Sequence, residues 1–471
     1  MKYLYMLGFV GWVAGGCDGD GPPAGPPPAW SRTLPPAAVM GAHRGLIPAR
    51  GIVHLHSPYS HDACDGMPRG PNDNGPVDEV CLDHLRKALC DTAMDFAALT
   101  DHDDTMADEA WGPELFLRRG ADELVVNATG APTASRLACD TGRKVLLFVG
   151  GENDLMPIML DKHPEGDAGT RHAVYNGNDV DTVNAYRALG GLAWVAHSES
   201  KEIGLLRELK LDGMEVYNLH AAIDADIRMK WLNLSPDGAV QAAADFLSPE
   251  PTAPEPDLAL VAFLEENLPS VHKWETLLGE GNRVAVTAGT DAHENAIALL
   301  MRDGERVDSY RRMMRWFANV VLVALPSDPA QIEQAMATGR LYVAFEVLGT
   351  PTGFDARADK ADGTVAELGA ELRVADGATL VVETPSVYML SPALPEPMIR
   401  TRILRVDAAG STEVAAGAGR VTAAADQPGA YRVEVRMTPR HLAPYMTAIA
   451  AKGFSEREYV WIYASPIYVR P

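Results

Sequence analysis

The chain predicts an α/β protein, a parallel sheet or barrel of alternating strands and helices followed by a smaller antiparallel β domain. Three observations predict it. Five short apolar runs each lead into a His, Asp or Glu; segments with helix start and stop signals separate them; and after Gly353 the texture changes to short alternating runs spaced by Ala, Gly, Asp and Pro. Strands that alternate with helices imply parallel pairing, whereas short alternating strands with frequent turns imply an antiparallel sandwich.

The first run, from Gly51, ends in His54 and His56. Strand side chains alternate faces with a period of two, so these imidazoles are expected side by side on one face, a metal-binding arrangement. The second run, from Asp95, leads into Asp101 and His102, and the third, from Lys144, leads through two glycines to Glu152. The fourth, from Gly191, ends at His197, and the fifth, from Arg283, reaches Asp291 and His293. Helices are expected over 78–94 and over 179–189, the latter stopped by Gly190 and Gly191. Beyond the fifth run a helix is expected over 309–317, a strand over 320–324, a helix over 329–338 and a last strand over 340–345. The alternating runs that follow, at 371–374, 379–383, 402–406, 431–436 and 459–463, predict an antiparallel β-sandwich over 351–471 holding a single histidine, His441. In parallel α/β folds the C-terminal strand ends share one rim, so five stretches would deliver their ionisable groups to one place.

The residues that carry this pattern resemble a family. His54, His56 and His61, then Leu99 to His102, Gly151 and Glu152, Ala196 and His197, and Gly289 to His293 are similar in order and context to the PHP (polymerase and histidinol phosphatase) domain over roughly 47–345. The 213–218 segment, Gly213 to Asn218, also resembles a stretch the family carries before its Asp-x-His. The resemblance implies a distorted seven-stranded β/α barrel over 47–350 with two or three divalent metal ions, most often in phosphoesterases. By that analogy His54, His56, Glu152 and Asp291 share one ion, Glu152 and His197 a second, and His61, His102 and His293 a third. The family places one more imidazole at the second ion. His163 and His172 are the candidates, and His163 is preferred because it lies closer in sequence to Glu152.

The chemistry stands without the family. Imidazole and carboxylate donors suit zinc, manganese or iron, and paired ions can bind phosphoryl oxygens and supply hydroxide as the nucleophile. No Gly-x-Ser-x-Gly elbow and no glycine-rich phosphate loop ending in Lys-Ser appears in the chain. Asp101 is expected to orient an imidazole rather than to ligate. His220, just past the strand carrying Glu215, is a candidate to protonate a leaving group or touch substrate, against the alternative of an ordinary loop histidine.

The 471 residues suffice for a large core and a second domain, and 64 acidic against 41 basic side chains give a formal net charge of -23. Such a surface repels nucleic acid and anionic lipid headgroups. Residues 1–17 resemble a bacterial lipoprotein signal in which Cys17 becomes the lipidated first residue, followed by a Pro/Gly-rich tether over 18–46. An exported protein, anchored through Cys17 on the periplasmic or cell-surface side, is therefore expected. Cys64, Cys81, Cys90 and Cys139 allow three disulfide pairings, of which Cys64 with Cys81 and Cys90 with Cys139 is the expected one. The leading functional expectation is a metal-dependent phosphoesterase acting on a small phosphorylated compound. The alternatives are a carbon–nitrogen or carboxyl-ester hydrolase with the same metal site, and a surface-anchored binding protein.

Overall fold

The computed structural model describes residues 27–70 and 75–471. The expected leader, Cys17 and the first part of the tether lie outside the described residues. Eleven strands build the part that carries the site: β1 (Ile47–Leu55), β2 (Phe96–Leu99), β3 (Glu123–Val126), β4 (Pro132–Ala138), β5 (Lys144–Val149), β6 (Met156–Ile158), β7 (Leu192–Val195), β8 (Gly213–Asn218), β9 (Ala285–Ala292), β10 (Ala318–Val323) and β11 (Leu341–Ala344). Helices fall between them as the sequence implied. Glu79–Asp91 starts where the Asp78 carboxylate accepts from the Val80 and Cys81 amides, and Pro329–Thr338 starts behind Asp328 and stops at Gly339.

β1 is a fork. One edge pairs in parallel with β2, which pairs in parallel with β5. The other edge changes partner halfway: Ile47 to Gly51 lie antiparallel to β10, and Val53 and Leu55 lie parallel to β9, which continues in parallel to β8 and β7. Where β9 and β10 diverge, the buried Asn319 side chain accepts from the Ala288 amide and donates to the Ala288 carbonyl, both at 2.9 Å. A side-chain amide thus takes the place of ladder partners for Ala288 where the fork interrupts the sheet.

Alternate residues of the curled strands share one dry core, with Val53, Phe96, Phe148, Ile158, Trp194 and Val321 at its centre. Ile332 and Met336 of the Pro329–Thr338 helix close that core from below. The opposite faces of the strands pack on the surrounding helices. Strand pairing runs β5–β2–β1–β9–β8–β7–β6, seven strands as expected, with no ladder between β5 and β6. β5 pairs with β2 and with the antiparallel hairpin of β3 and β4, and β6 pairs only with β7. Between β5 and β6 run two backbone hydrogen bonds, Gly151 N to Pro157 O at 3.0 Å and Leu160 N to Val149 O at 2.7 Å. The β3–β4 hairpin, which period-two reading did not single out, pairs with β5 from Lys144 to Leu147, before the residues that bond to β6.

The C-terminal strands do not form a free-standing sandwich. Tyr459–Arg470 pairs antiparallel with β11 and carries Gly429–Thr438, Met398–Asp407 and Gly410–Gly417 beside it, so half of the expected sandwich continues the main sheet. The other half is a four-stranded antiparallel sheet of Val365–Glu367, Asp355–Asp359, Thr379–Glu383 and Arg420–Ala424. Residues 27–46, expected to belong to a tether, are docked instead. Trp30 donates to Asp257 at 2.9 Å, Thr352 donates to the Val39 carbonyl at 2.7 Å, and Leu34 and Met40 are buried. Their apolar side chains explain the difference, because a tether needs side chains that prefer water. Cys64 is bonded to Cys81 and Cys90 to Cys139, the expected pairing. Among the described residues no helix is long and apolar enough to cross a membrane.

Candidate metal centre

The strand ends gather as the sequence implied, but strained backbone aims them. His54, His197 and Asp291 have φ of 70°, 47° and 53°, in the left-handed region that side chains other than glycine rarely adopt. His54 lies at an irregularity in the β1–β9 register, between Val53 and Leu55. A bulge, not plain alternation, therefore brings the His54 and His56 rings together, with centroids 5.3 Å apart. Such strain persists only where the surroundings over-determine it, and it clusters at functional sites.

Four donor atoms form a compact group. His54 Nε2 lies 3.2 Å from Glu152 Oε2 and 3.3 Å from Asp291 Oδ1, and His56 Nε2 lies 3.3 and 3.4 Å from the same two oxygens. A tetrahedral ion with bonds of about 2.0–2.1 Å holds its donors about 3.3–3.4 Å apart. The second oxygens of the two carboxylates face His197, whose Nε2 is 3.4 Å from Glu152 Oε1 and 2.9 Å from Asp291 Oδ2. On the opposite side Asp62 Oδ2 lies 3.0 Å from His293 Nε2 and 3.5 Å from His102 Nε2, close to His56.

Each imidazole is pinned from behind. Nδ1 of His54 meets Glu215 Oε1 at 2.8 Å, that of His56 meets Ser60 Oγ at 2.9 Å, and that of His197 meets Glu199 Oε1 at 3.2 Å. Nδ1 of His102 faces the Glu152 carbonyl at 2.9 Å, and that of His293 faces the Asp291 carbonyl at 2.8 Å. An acceptor on Nδ1 keeps the proton there and leaves Nε2 with its lone pair toward the cluster. Ser60 Oγ donates to Asp62 Oδ1 and is thereby free to accept from His56. Glu199 is buried and accepts from Asn267 at 2.9 Å. Glu215 reaches His54 only because residue 289 is glycine: a Cβ there would stand 2.0 Å from Glu215 Oε1.

The electrostatics favour added positive charge. Burial pulls the His54 imidazole down, but the charges of Asp291, Glu215 and Glu152 outweigh it and hold its pKa well above the ordinary histidine value. Burial likewise opposes protonation of His102, yet Asp62 and Glu152 push it up to about 10. Burial raises Glu152 and Asp291, and the neighbouring imidazoles, His54 foremost, carry both well below the usual carboxylate range. Protons and a divalent cation would compete for the same Nε2 positions.

Some expected residues lie elsewhere. Asp101 does not touch an imidazole by hydrogen bond; it accepts from the Ser57 amide and, at 2.7 Å, from Ser57 Oγ, and so fixes the turn after β1. His163 is buried against Trp111, with ring centroids 4.9 Å apart, and its Nδ1 meets Tyr175 Oη at 2.9 Å. Burial, with the Arg171 charge, pulls it down to about 4. Aromatic neighbours therefore hold that ring neutral, and it joins no metal-capable group among the described residues. His172 bridges Asp103 and Asp108 at 2.6 and 2.9 Å. His61 is exposed, with its ring centroid 5.2 Å from that of His102, and Asp62 beside it supplies the donor that groups with His56, His102 and His293. His220 does reach the cluster: its Nδ1 is 3.7 Å from Asp291 Oδ2, and it groups with Asp291 and His293. Sequence reasoning missed Asp62, Glu199 and the pinning role of Glu215, although the first two stand close in sequence to His61 and His197.

The donors fit divalent metal. Nε2 of His54, His56 and His293 are buried without a hydrogen-bond partner, which is costly for polar atoms unless something else binds them. A mixed imidazole and carboxylate set suits zinc, manganese or iron. A fourth acidic group, Asp257, Asp303 and Glu305, is already neutralised by Arg311 and Arg312.

The chain is similar to a PHP-like protein. That solved structure is a two-domain protein from Bacteroides vulgatus containing a predicted PHP-like metal-dependent phosphoesterase. It is 12% identical over 91% of this chain and 99% of that one, with a TM-score of 0.34. PsfC from Pseudomonas syringae is 12% identical over 58% of this chain and 82% of that one, with a TM-score of 0.27. Likenesses of that size decide nothing about the reaction. No family profile matches the chain. No curated protein matches it either.

Proposed function

We propose that the chain is a PHP-type metal-dependent hydrolase that cleaves small phosphoesters, its curled sheet being a distorted form of the family barrel. The observation that carries this is the donor group of His54, His56, Glu152 and Asp291, spaced by 3.2–3.4 Å, with the second oxygens of both carboxylates turned to His197. Two or three divalent ions held there would neutralise phosphoryl charge and lower the pKa of water to about 7.

The chain's own residues supply the rest. Glu215, Ser60 and Glu199 hold the Nδ1 protons of His54, His56 and His197, so three lone pairs stay aimed without reorganisation. Glu152 and Asp291, each with one oxygen to either side, set the spacing between neighbouring positions. His220 is 30% exposed at the edge of the cluster, placed to hold a proton for the departing alcohol. Beside it a cavity of about 440 Å³, bordered by His220, Asp291 and His293, gives room for a small leaving group. We also propose export and anchoring through Cys17. The two disulfides support export, since such bonds persist in oxidising compartments.

Release of phosphate from a panel of phosphomonoesters, set against amide and carboxyl-ester panels, tests the reaction. Phosphate release abolished by chelator and restored by zinc, manganese or iron is expected. Cleavage of amides or carboxyl esters with inert phosphoesters would replace this reading with the carbon–nitrogen or ester hydrolase.

A further inference from the structure

The cavity beside the cluster has a wall unlike that of a site for polyanions. Its lining includes Ile223, Ile297 and Met313, Asn295, and the acidic residues Asp224, Asp291, Glu294 and Asp308, with no lysine or arginine among the lining residues. Asp291 and His293 line it, and both belong to the donor groups, so the cavity adjoins the cluster. Arg306 stands nearby but is spent twice, on Asp308 at 2.8 and 3.0 Å and on Asp65 at 2.7 and 2.9 Å. Glu294 keeps its own partner, His84, at 2.9 Å. Asp224 uses one oxygen to cap the Ile227 amide.

We infer that this cavity receives the alcohol side of the substrate, and that it accepts neutral or amine-bearing alcohols while rejecting those with a second anionic group. The inference rests on the phosphoesterase reading and narrows its substrate class. Ions held by His54, His56, Glu152 and Asp291 would bind the phosphoryl group. A carboxylate or second phosphate on the leaving side would then meet Asp224 and Glu294 with no cation to balance it, in a half-enclosed space where like charges repel more strongly than in bulk water. An ammonium group meets the same carboxylates favourably, and a plain alkyl chain meets Ile223, Ile297 and Met313.

Three esters of matched length separate the outcomes: propyl phosphate, 3-aminopropyl phosphate and the phosphate ester of 3-hydroxypropanoate. With metal-loaded protein at neutral pH, kcat/KM for the first two is expected to exceed that for the carboxylate ester at least tenfold. Asp224→Asn retains a capping side chain and lowers the amine-to-carboxylate ratio at least threefold. Ile297→Arg, which leaves the cap untouched, lowers it further. Equal rates for all three esters, or ratios unmoved in both variants, would overturn the inference and leave the phosphoesterase reading standing. Failure to cleave any of the three would overturn both.

Discussion

His54 owes its direction to one buried carboxylate. Glu215 is 1% exposed, meets Nδ1 of His54, and is held in turn by Asn218 Nδ2 at 3.2 Å. Glu215→Gln keeps the shape but loses the charge that favours a cationic cluster, so metal affinity is expected to fall about 10–100-fold with the fold intact, read by competition with a chelator. Asp62 and His61 make a sharper pair. Because Asp62 Oδ2 is the atom 3.0 Å from His293, Asp62→Ala is expected to lose one metal equivalent, whereas His61→Ala keeps it; the reverse result would restore the family pattern. His54, His56, His102, Glu152, His197, Asp291 and His293 were legible because each follows an apolar run, and such runs stop at a rim. Asp62, Glu199 and Glu215 were not, because a carboxylate beside a histidine looks the same whether it caps a turn or orients a ring. His163 misled for a related reason: closeness to Glu152 in sequence says nothing of the aromatic pocket, Trp111 and Tyr175, that takes its ring.

At the scale of elements, alternation and capping placed the strands and helices well, and departures arose where one strand serves two sheets. β1 changes partner between Gly51 and Val53, with the bulge at His54 following, and no periodicity within β1 announces this, since the cause lies in β9 and β10. The β3–β4 hairpin on β5 was illegible likewise, because it pairs with Lys144 to Leu147 from outside the ring of strands that carries the site. The Pro329–Thr338 helix carries a different consequence. Burial, with the charges of Asp161 and Asp328, pushes Glu333 up to about 7. Its pKa is thus higher folded than unfolded. The proton it holds contributes stability that is fully present below the unfolded value and is lost as pH rises through about 7. Glu333→Gln is therefore expected to raise the melting temperature by about 2–4 °C at pH 8 and to leave it unchanged or lower near pH 4, by differential scanning calorimetry.

Across the whole molecule the sheet is continuous from the donor cluster to the C-terminus. Tyr342, Val343 and Ala344 of β11 pair with Ala464, Tyr463 and Ile462, and Arg432 and Arg436 bind Glu275 and Glu266 across the junction. Cutting after Thr350 would strip β11 of that edge and strand two acidic partners, so a chain ending there is expected to aggregate or to unfold without cooperativity. A soluble fragment with a sharp thermal transition would show that the two parts fold separately. With a net charge of -23, the proposed phosphoester substrate would have to be drawn in by the local positive charge of bound ions against the field of the chain. That places the burden of the account on the ions. Elemental mass spectrometry of protein purified without chelator, beside Asp291→Asn, tests it most directly. Two or more equivalents of zinc, manganese or iron per chain, reduced in the variant, are predicted. Wild-type protein that neither carries nor takes up metal, its melting temperature unmoved by added ions, would contradict the account.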